Sequence, residues 1–588
     1  MTNCNSQKFP STCNPADYGF NKFFPHTGEE VYYQKINETN LPEDGVVLIQ
    51  ENGLYYKAIL HENTINIEWY RCNERYANDE EIILAAVKMA AYLGATLRFD
   101  AREYIVNRQL TFQNLSCFKL LGDKQHTVIK SNSNERVEGF YFSFTDCNNI
   151  IVEGFKFDLN KRNLPTYNSS DDALSKEFNG GILIKGTYEI NGSHNIEITN
   201  CHFYDLYNRA VRFYNCEQGH IIVSNNLFES GVQEQIYMME HLVISQSHNA
   251  NVIVENNIFR NAENHDSSKA PCGIYGFDLG YYGSVLIDNN YFEYCGRDNT
   301  GHHRLYAIDF YDSVNNFVIS NNTFRNTTWG AIRFDGTRKN GIISNNIIHQ
   351  LISDDGGMIN ASSRGAAEFN QTEFRNITIS NNILESSGTT SYGIILQGLS
   401  AFCNSENIEI SNNKFYNLKG CITLHGDMDV VSITNNQAFN LKAIGVYIQG
   451  IKVINKVEFE PRKIAKIYIN DNNFSGDLNP DLKGIVGVQI DGLNGKHTFM
   501  GRVWINGNFI TNNNYGYGII VNTGDSLDNV VIVANNVIEN VERGLYIRTE
   551  KVLVKDNLIY NASISAINDA DVPGQTIYHE NFYNNVII

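Results

Sequence analysis

The chain reads as an all-β protein, a three-sided parallel β-helix with a capping helix and a small module at its N-terminus. Three observations predict this. The motif apolar-x-Asn-Asn-x-apolar returns along the chain, with corners at Asn200, Asn225, Asn256, Asn289, Asn321, Asn345, Asn381, Asn412, Asn435, Asp471, Gly507, Asn535 and Asp556. The corners lie about 30 residues apart on average, and shorter intervals, such as the 23 residues from Asn412 to Asn435, suggest the bare coil. Each interval holds three short apolar segments, enough for one turn of a three-sided coil. A leucine-rich repeat needs a leucine framework that this chain lacks, and a propeller needs blades of about 40 residues. Weaker corners precede the series at Gly122 and Glu153.

Taken in order, residues 1–64 carry no repeat. Pro10, Pro15, Pro25 and Pro42 mark an extended, loop-rich stretch, followed by a hairpin in which Asn52-Gly53 joins the apolar runs Val46–Ile49 and Leu54–Ile59. Asn-Gly between apolar runs is a strong hairpin signal. This stretch is a candidate attachment module. A helix follows over 78–93. Asn78 is its N-cap, Glu81 the reciprocal capping partner, and Asp79, Glu80 and Glu81 suit the positive end of its dipole. Ile82, Ile83, Ala86, Val87, Ala90 and Leu93 form its apolar stripe, and Gly94 ends it. Thr96–Phe99 and Tyr104–Val106 read as strands. A helix leading directly into β repeats suggests a lid over the otherwise unpaired end of a solenoid. The β-helix runs to about 570, and 571–588 form a short tail.

Composition narrows the function. A net charge of −19 argues against nucleic acid, whose phosphates need a basic surface, and against an anionic membrane surface. With 33 Tyr, 33 Phe, 45 Gly and 9 Pro, the balance is aromatic, turn-rich and β-type. The 11 cysteines lack metal-ligand spacing and read mostly as buried thiols, with Cys4 and Cys13 a weak disulfide pair. No metal or cofactor site is readable. No run approaches a membrane span and no secretory signal opens this chain, so a protein working outside cells is expected to leave by another route, such as lysis. The Asn-Asn pairs are assigned to structure, as a ladder of buried side chains bonding coil to coil.

A second pattern, small-apolar-x-apolar-x, recurs between corners. Examples are Ala210–Tyr214, Ala307–Tyr311, Ala331–Asp335, Gly393–Gln397, Cys421–His425 and Gly445–Gln449. Side chains alternate across a strand, so the third and fifth positions are expected to face solvent. Read down the coils, they are Arg212/Tyr214, Tyr275/Phe277, Asp309/Tyr311, Arg333/Asp335, Ile395/Gln397, Thr423/His425 and Tyr447/Gln449. The middle coils also carry the long insertions 265–273, 297–304 and 353–373, and long loops beside a rigid sheet collect function. Asp309 and Asp335 fall on adjacent coils two positions apart, about 8 Å between Cα atoms by strand geometry. That separation suits the paired carboxylates of glycoside hydrolysis. Arg333 stacks on Asp309 and would orient it, which leaves Asp335 as the proton donor. Asp355 is an alternative acid. Arg212, Tyr275, Asp278, His303, Tyr311, Trp329 and His425 are candidate substrate-binding groups, the aromatic rings matching the C–H faces of sugars.

The segment Ile65-Asn66-Ile67-Glu68-Trp69-Tyr70, the acidic helix start Asn78–Glu81, and Gly94-Ala95-Thr96-Leu97-Arg98-Phe99 with Tyr104-Ile105-Val106 resemble the entry of pectate-lyase-like β-helix proteins. Bacteriophage tailspikes and capsule depolymerases share that entry. The resemblance spans roughly 65–570 and implies a right-handed winding. The usual glycine-rich link before the helix is replaced by Arg71–Ala77, and the polygalacturonase-type catalytic set cannot be placed in order, so no catalytic residue is carried over from that branch. The resemblance implies a glycoside hydrolase acting on a bacterial capsular or other surface polysaccharide. The phage branch adds attachment to a tail or baseplate through the N-terminus, and a homotrimer. A polysaccharide lyase and a non-catalytic glycan-binding adhesin are the alternatives.

Overall fold

The computed structural model describes residues 19–38, 41–124, 126–164, 178–187, 192–206, 209–216, 218–229, 242–245, 247, 249–261, 263–264, 274–277, 283–295, 297–298, 306–310, 314–327, 330–334, 338–350, 357–362, 373–388, 390–397, 404–449, 451–452, 465–477, 479, 485–491, 497–498, 501–512, 516–524, 530–549, 551–569, 577–579, 581–583 and 586–587. Two compact units result, 1–233 and 234–588. Both are wound as right-handed parallel β-helix.

Unit 1 opens with a four-stranded antiparallel sheet, in spatial order Gly19–Phe24, Glu29–Ile36, Leu54–Ala58 and Leu48–Glu51. The second hairpin is the one Asn52-Gly53 predicts, with both turn residues at positive φ (50° and 78°). The first corrects the loop-rich reading of the N-terminal stretch. Pro25 obscured an alternation that buries Phe20, Phe24, Val31 and Tyr33. The entry segment around Ile65–Tyr70 is a short strand, Thr64–Asn66, and a one-turn helix, Glu68–Arg71.

The lid helix runs Asp79–Leu93. Asn78 Oδ1 accepts from Glu81 N at 3.0 Å, and Glu81 Oε2 accepts from Ala77 N at 2.8 Å, one residue before the cap. Gly94 closes it at φ 62°. Its buried face, Ile82, Ile83, Ala86, Val87 and Ala90, packs on strands Thr96–Arg98, Leu110–Gln113 and Ser116–Leu121. Ion pairs hold its start in place. Arg102 reaches buried Glu68 at 2.6 Å and Asp79 at 2.8 Å. Glu29 ties the N-terminal sheet down by accepting from Trp69 Nε1 at 2.5 Å and Arg98 Nη2 at 2.8 Å.

In unit 2 each coil contributes one strand to each of three parallel sheets. The coil at Tyr306–Phe310 shows the order: that strand lies in the front sheet, Val314–Ser320 in the second and Thr323–Thr327 in the third. The register holds coil after coil, so equivalent side chains stack: Ile274, Ile308, Ile332, Ile359, Ile394, Ile422 and Val446 form one interior row. Phe259, Phe292 and Phe324 stack at 4.8 Å spacings in another.

All thirteen predicted corner residues adopt positive φ, between 51° and 67°. Asparagine tolerates this left-handed region better than other side-chain-bearing residues. The residue after the corner enters the core. In unit 2 these side chains form a ladder from Asn257 through Asn290, Asn322, Asn346, Asn382, Asn413, Asn436, Asn472, Asn508, Asn536 and Asn557 to Asn581. Asn346 is typical. Its Nδ2 donates to Asn382 Oδ1 at 3.0 Å and to Ile319 O at 2.9 Å, while its Oδ1 accepts from the N and Nδ2 of Asn322 at 3.0 Å. A polar side chain is buried completely because all its hydrogen-bonding capacity is used. In unit 1, Cys201 takes a ladder position and donates its backbone N–H to Asn226 Oδ1 at 2.8 Å. Cys147, Cys201, Cys216, Cys295 and Cys421 are buried free thiols, Cys72 is half-buried and Cys117 exposed. Cys4 and Cys13 lie outside the described residues.

Candidate functional site

The front sheet of unit 2 carries the row expected to bear chemistry. Adjacent coils pair Val243 with Tyr275, Tyr275 with Asp309, Asp309 with Arg333, and Arg333 with Asn360. The row continues through Ile395, Thr423, Tyr447, Gln489, Ile520, Tyr546 and Asn568.

Along this row the structure brings Asp309 and Arg333 together. Arg333 Nη1 donates to Asp309 Oδ2 at 3.4 Å. The expectation that both face open solvent is corrected: Asp309 is 2% exposed and Arg333 7%. The strands Tyr306–Phe310 and Gly330–Phe334 are buried on both faces, whereas Ile444–Gln449 keeps the alternation of buried and half-exposed positions. Alternation tells which face a residue takes, but it does not tell whether that face is covered. The Tyr306 ring lies beside the pair, its centroid 6.0 Å from the Arg333 guanidinium carbon, and its hydroxyl accepts from Asn360 Nδ2 at 2.7 Å. Asn360 Oδ1 is buried with no hydrogen-bond partner among the described residues.

Further down the row the face opens. A groove of about 520 Å³ is lined by Tyr392, Ile395, Lys419, Thr423, His425, Ala443, Ile444, Tyr447, Val486 and Gln489. Lys419 Nζ sits 5.2 Å from the centroid of the Tyr392 ring, and the His425 and Tyr447 rings meet edge to face at 5.5 Å. Burial, Asp491 and Tyr392 together push the Tyr447 phenol up to about 12. Thr423 is 6% exposed, and its Oγ1 has no hydrogen-bond partner among the described residues. Sequence reasoning found His425 and Thr423 but missed Tyr392 and Lys419. By strict alternation Tyr392 shares the parity of buried Ile394, yet it lines the outer groove with Ile395. Gly393, between them, is closely packed: a Cβ there would lie 2.6 Å from Cys421 O and 2.8 Å from the Phe415 ring. Small residues before the apolar positions were the available signal.

The other predicted residues divide as follows. Arg212 lies in unit 1, paired in register with Leu183, its guanidinium carbon 5.1 Å from the Tyr214 ring centroid. Tyr275 is placed by its backbone next to Asp309. Asp335, Asp355, Asp278, His303, Tyr311 and Trp329 lie outside the described residues. No group of three or more potential metal ligands occurs among the described residues, and no described helix is long and apolar enough to cross a membrane.

No protein-family model matches the chain, and no curated protein does. Solved structures similar to it include PfbA, a surface adhesin of Streptococcus pneumoniae, at 15% identity over 73% of this chain and 92% of that one, with a TM-score of 0.43. The catalytic domain of a GH87 alpha-1,3-glucanase in complex with nigerose is 11% identical over 72% and 68%, at 0.40. An exopolygalacturonase from Thermotoga maritima is 12% identical over 90% and 94%, at 0.31. Likeness at this level says nothing about a substrate.

Proposed function

We propose that the front face of unit 2 binds a bacterial capsular or other surface polysaccharide and hydrolyses it. Asp309 acts as base or nucleophile, Arg333 orients it, and Asp335 is the acid. The buried Asp309–Arg333 pair carries this reading. Taking two charges out of water costs several kcal/mol per ion, and apolar side chains of similar volume would fill the space at least as favourably. Such pairs concentrate where a carboxylate must be held dry and oriented, which glycosidic cleavage requires. Display on a virion tail through residues 1–64 belongs to the same proposal; immunogold labelling of virions tests it, and label absent from the tail refutes it.

Incubation with a panel of capsular polysaccharides, followed by mass spectrometry of the products, tests the activity. Asp309→Asn and Asp335→Asn are each expected to abolish shortening of the polymer while the protein stays folded. Full activity in both variants refutes the assignment, and products that absorb ultraviolet light through a new double bond identify a lyase instead.

A second reading, a glycan-binding protein without cleavage, is favoured by the lack of Asp or Glu among the ten groove residues. Retention on a polysaccharide with no shortening of it selects this reading.

A further inference from the structure

We infer that the groove between Tyr392 and Gln489 is a subsite for an uncharged pyranose, separate from the Asp309–Arg333 pair, and that it holds its ligand by ring stacking and by the Thr423 hydroxyl. The inference rests on the glycan reading above and specifies its substrate class. Two rows in register make the wall. One runs Tyr392, Gly420, Ile444 and Val486, the other Ile395, Thr423, Tyr447 and Gln489. Gly420 seats the first ring: a Cβ there would lie 2.5 Å from Tyr392 Cδ1, so the half-buried ring rests on the bare backbone of the next coil. A ring fixed in this way loses little freedom when a ligand arrives. Tyr447 is braced as well, edge to face with His425 at 5.5 Å. A pyranose presents C–H faces edged by hydroxyls, and aromatic rings set among polar groups match that pattern.

Thr423 points to a ligand that carries hydroxyls. It lines the groove at 6% exposure, and its Oγ1 has no hydrogen-bond partner among the described residues. Ile395 holds the same position one coil earlier, so valine would serve the fold at least as well, whereas an unpaired buried hydroxyl destabilises it. A step of χ1 between staggered wells exchanges hydroxyl and methyl, which lets the hydroxyl meet one on a sugar. Charge is balanced along this wall. Lys419 Nζ lies 5.2 Å from the Tyr392 ring centroid, and the Asp491 carboxylate acts on Tyr447. Opposite signs at the two rings give no preference for an ionised ligand. Burial and Asp491 also keep the Tyr447 phenol protonated, so it donates to a neutral hydroxyl. Thr423 stands four coil steps from Asp309, about 19 Å at 4.8 Å per coil. One sugar cannot touch both places, so the subsite gives its affinity to a polymer laid along the row.

The test titrates the full chain by calorimetry with cellotetraose, maltotetraose, mannotetraose and galactotetraose, and with an oligoglucuronate as the acidic probe. At least one neutral probe is expected to bind, more tightly than the acidic one, and with an affinity that stays within about twofold up to roughly 0.5 M salt. Thr423→Val should weaken that binding about fivefold and at the same time raise the denaturant midpoint, because the unpaired hydroxyl is gone. Tyr392→Leu should weaken it about tenfold while Tyr392→Phe keeps it, with circular dichroism confirming the fold. Binding of no neutral probe, tighter binding of the acidic one, or full affinity in Thr423→Val overturns the subsite. A lowered midpoint in Thr423→Val also overturns it, since the hydroxyl would then belong to the fold. Cleavage by the wild type separates the two claims. If polymers are shortened while no neutral probe binds, the subsite alone falls. If a neutral probe binds through Thr423 while no polymer is shortened, the hydrolysis reading falls and the subsite stands.

Discussion

Arg333 Nη1 lies 3.4 Å from Asp309 Oδ2, the two side chains 8% and 3% exposed on neighbouring strands of one sheet. Deleting either partner of such a pair strands a charge in a dry place, which costs about 3–5 kcal/mol. Arg333→Met is therefore expected to lower unfolding stability by about that amount. Asp309→Asn combined with Arg333→Met should recover much of it, because no charge then remains buried. Denaturant melts of the two single variants and the double variant check this, and additive losses count against a coupled pair.

The asparagine ladder makes a sharper contrast between neighbours in sequence. Asn346→Ala removes the acceptor of Asn322 N, one of the two acceptors of Asn322 Nδ2, and the side-chain donor to Ile319 O. Each buried orphan costs about 1–3 kcal/mol, so the total loss should exceed about 3 kcal/mol. Asn345 differs: it is the exposed corner residue at φ 56°. Asn345→Gly should be close to neutral, whereas Asn345→Val, forced into the left-handed region, should cost about 1–2 kcal/mol or more. Thermal melts of the three variants give the order; a destabilised Asn345→Gly would refute the division of labour.

How much of this was legible in the sequence depends on the length scale of the cause. Corner Asn345 and ladder Asn346 are set by one local backbone bend, repeated until chance is excluded, so their roles were readable. The register that puts Arg333 over Asp309 follows from the same repeat. The covering of that pair was not readable, since alternation tells which face a residue takes and not whether that face is covered. Tyr392 escaped for another reason: it shares the parity of buried Ile394, so strict alternation points it inward, yet it is half-buried and lines the groove. The hairpin at Gly19–Ile36 was hidden by Pro25, which sits in the turn and interrupts nothing.

Asp158 supplies a pH dependence for unit 1. Burial pushes its carboxyl up, but hydrogen bonds from Arg162 and Tyr204, at 2.6 and 2.7 Å, outweigh burial and hold it below the usual carboxylate range. A carboxylate depressed in the folded state stabilises that state above its unfolded value and loses the contribution as pH falls through its folded value. Stability of unit 1 should therefore drop on acidification below the ordinary carboxylate range. Asp158→Asn should be less stable at neutral pH and show a flatter acid limb; an unchanged acid limb in that variant would place the dependence elsewhere.

Tyr447 offers a direct probe of the groove. Its phenol is pushed up to about 12, first by burial and then by the Asp491 carboxylate and Tyr392, all of which disfavour the phenolate. At a pH near 10, where exposed tyrosines are half ionised, this ring should remain neutral. Asp491→Asn removes one of the three causes and should lower the value, since a nearby negative charge no longer opposes the phenolate. Ultraviolet titration of the wild type against Tyr447→Phe isolates the one phenol, and repeating it in Asp491→Asn gives the shift. A phenol that titrates near 10 in the wild type would show that the groove wall is more open to water than its geometry requires.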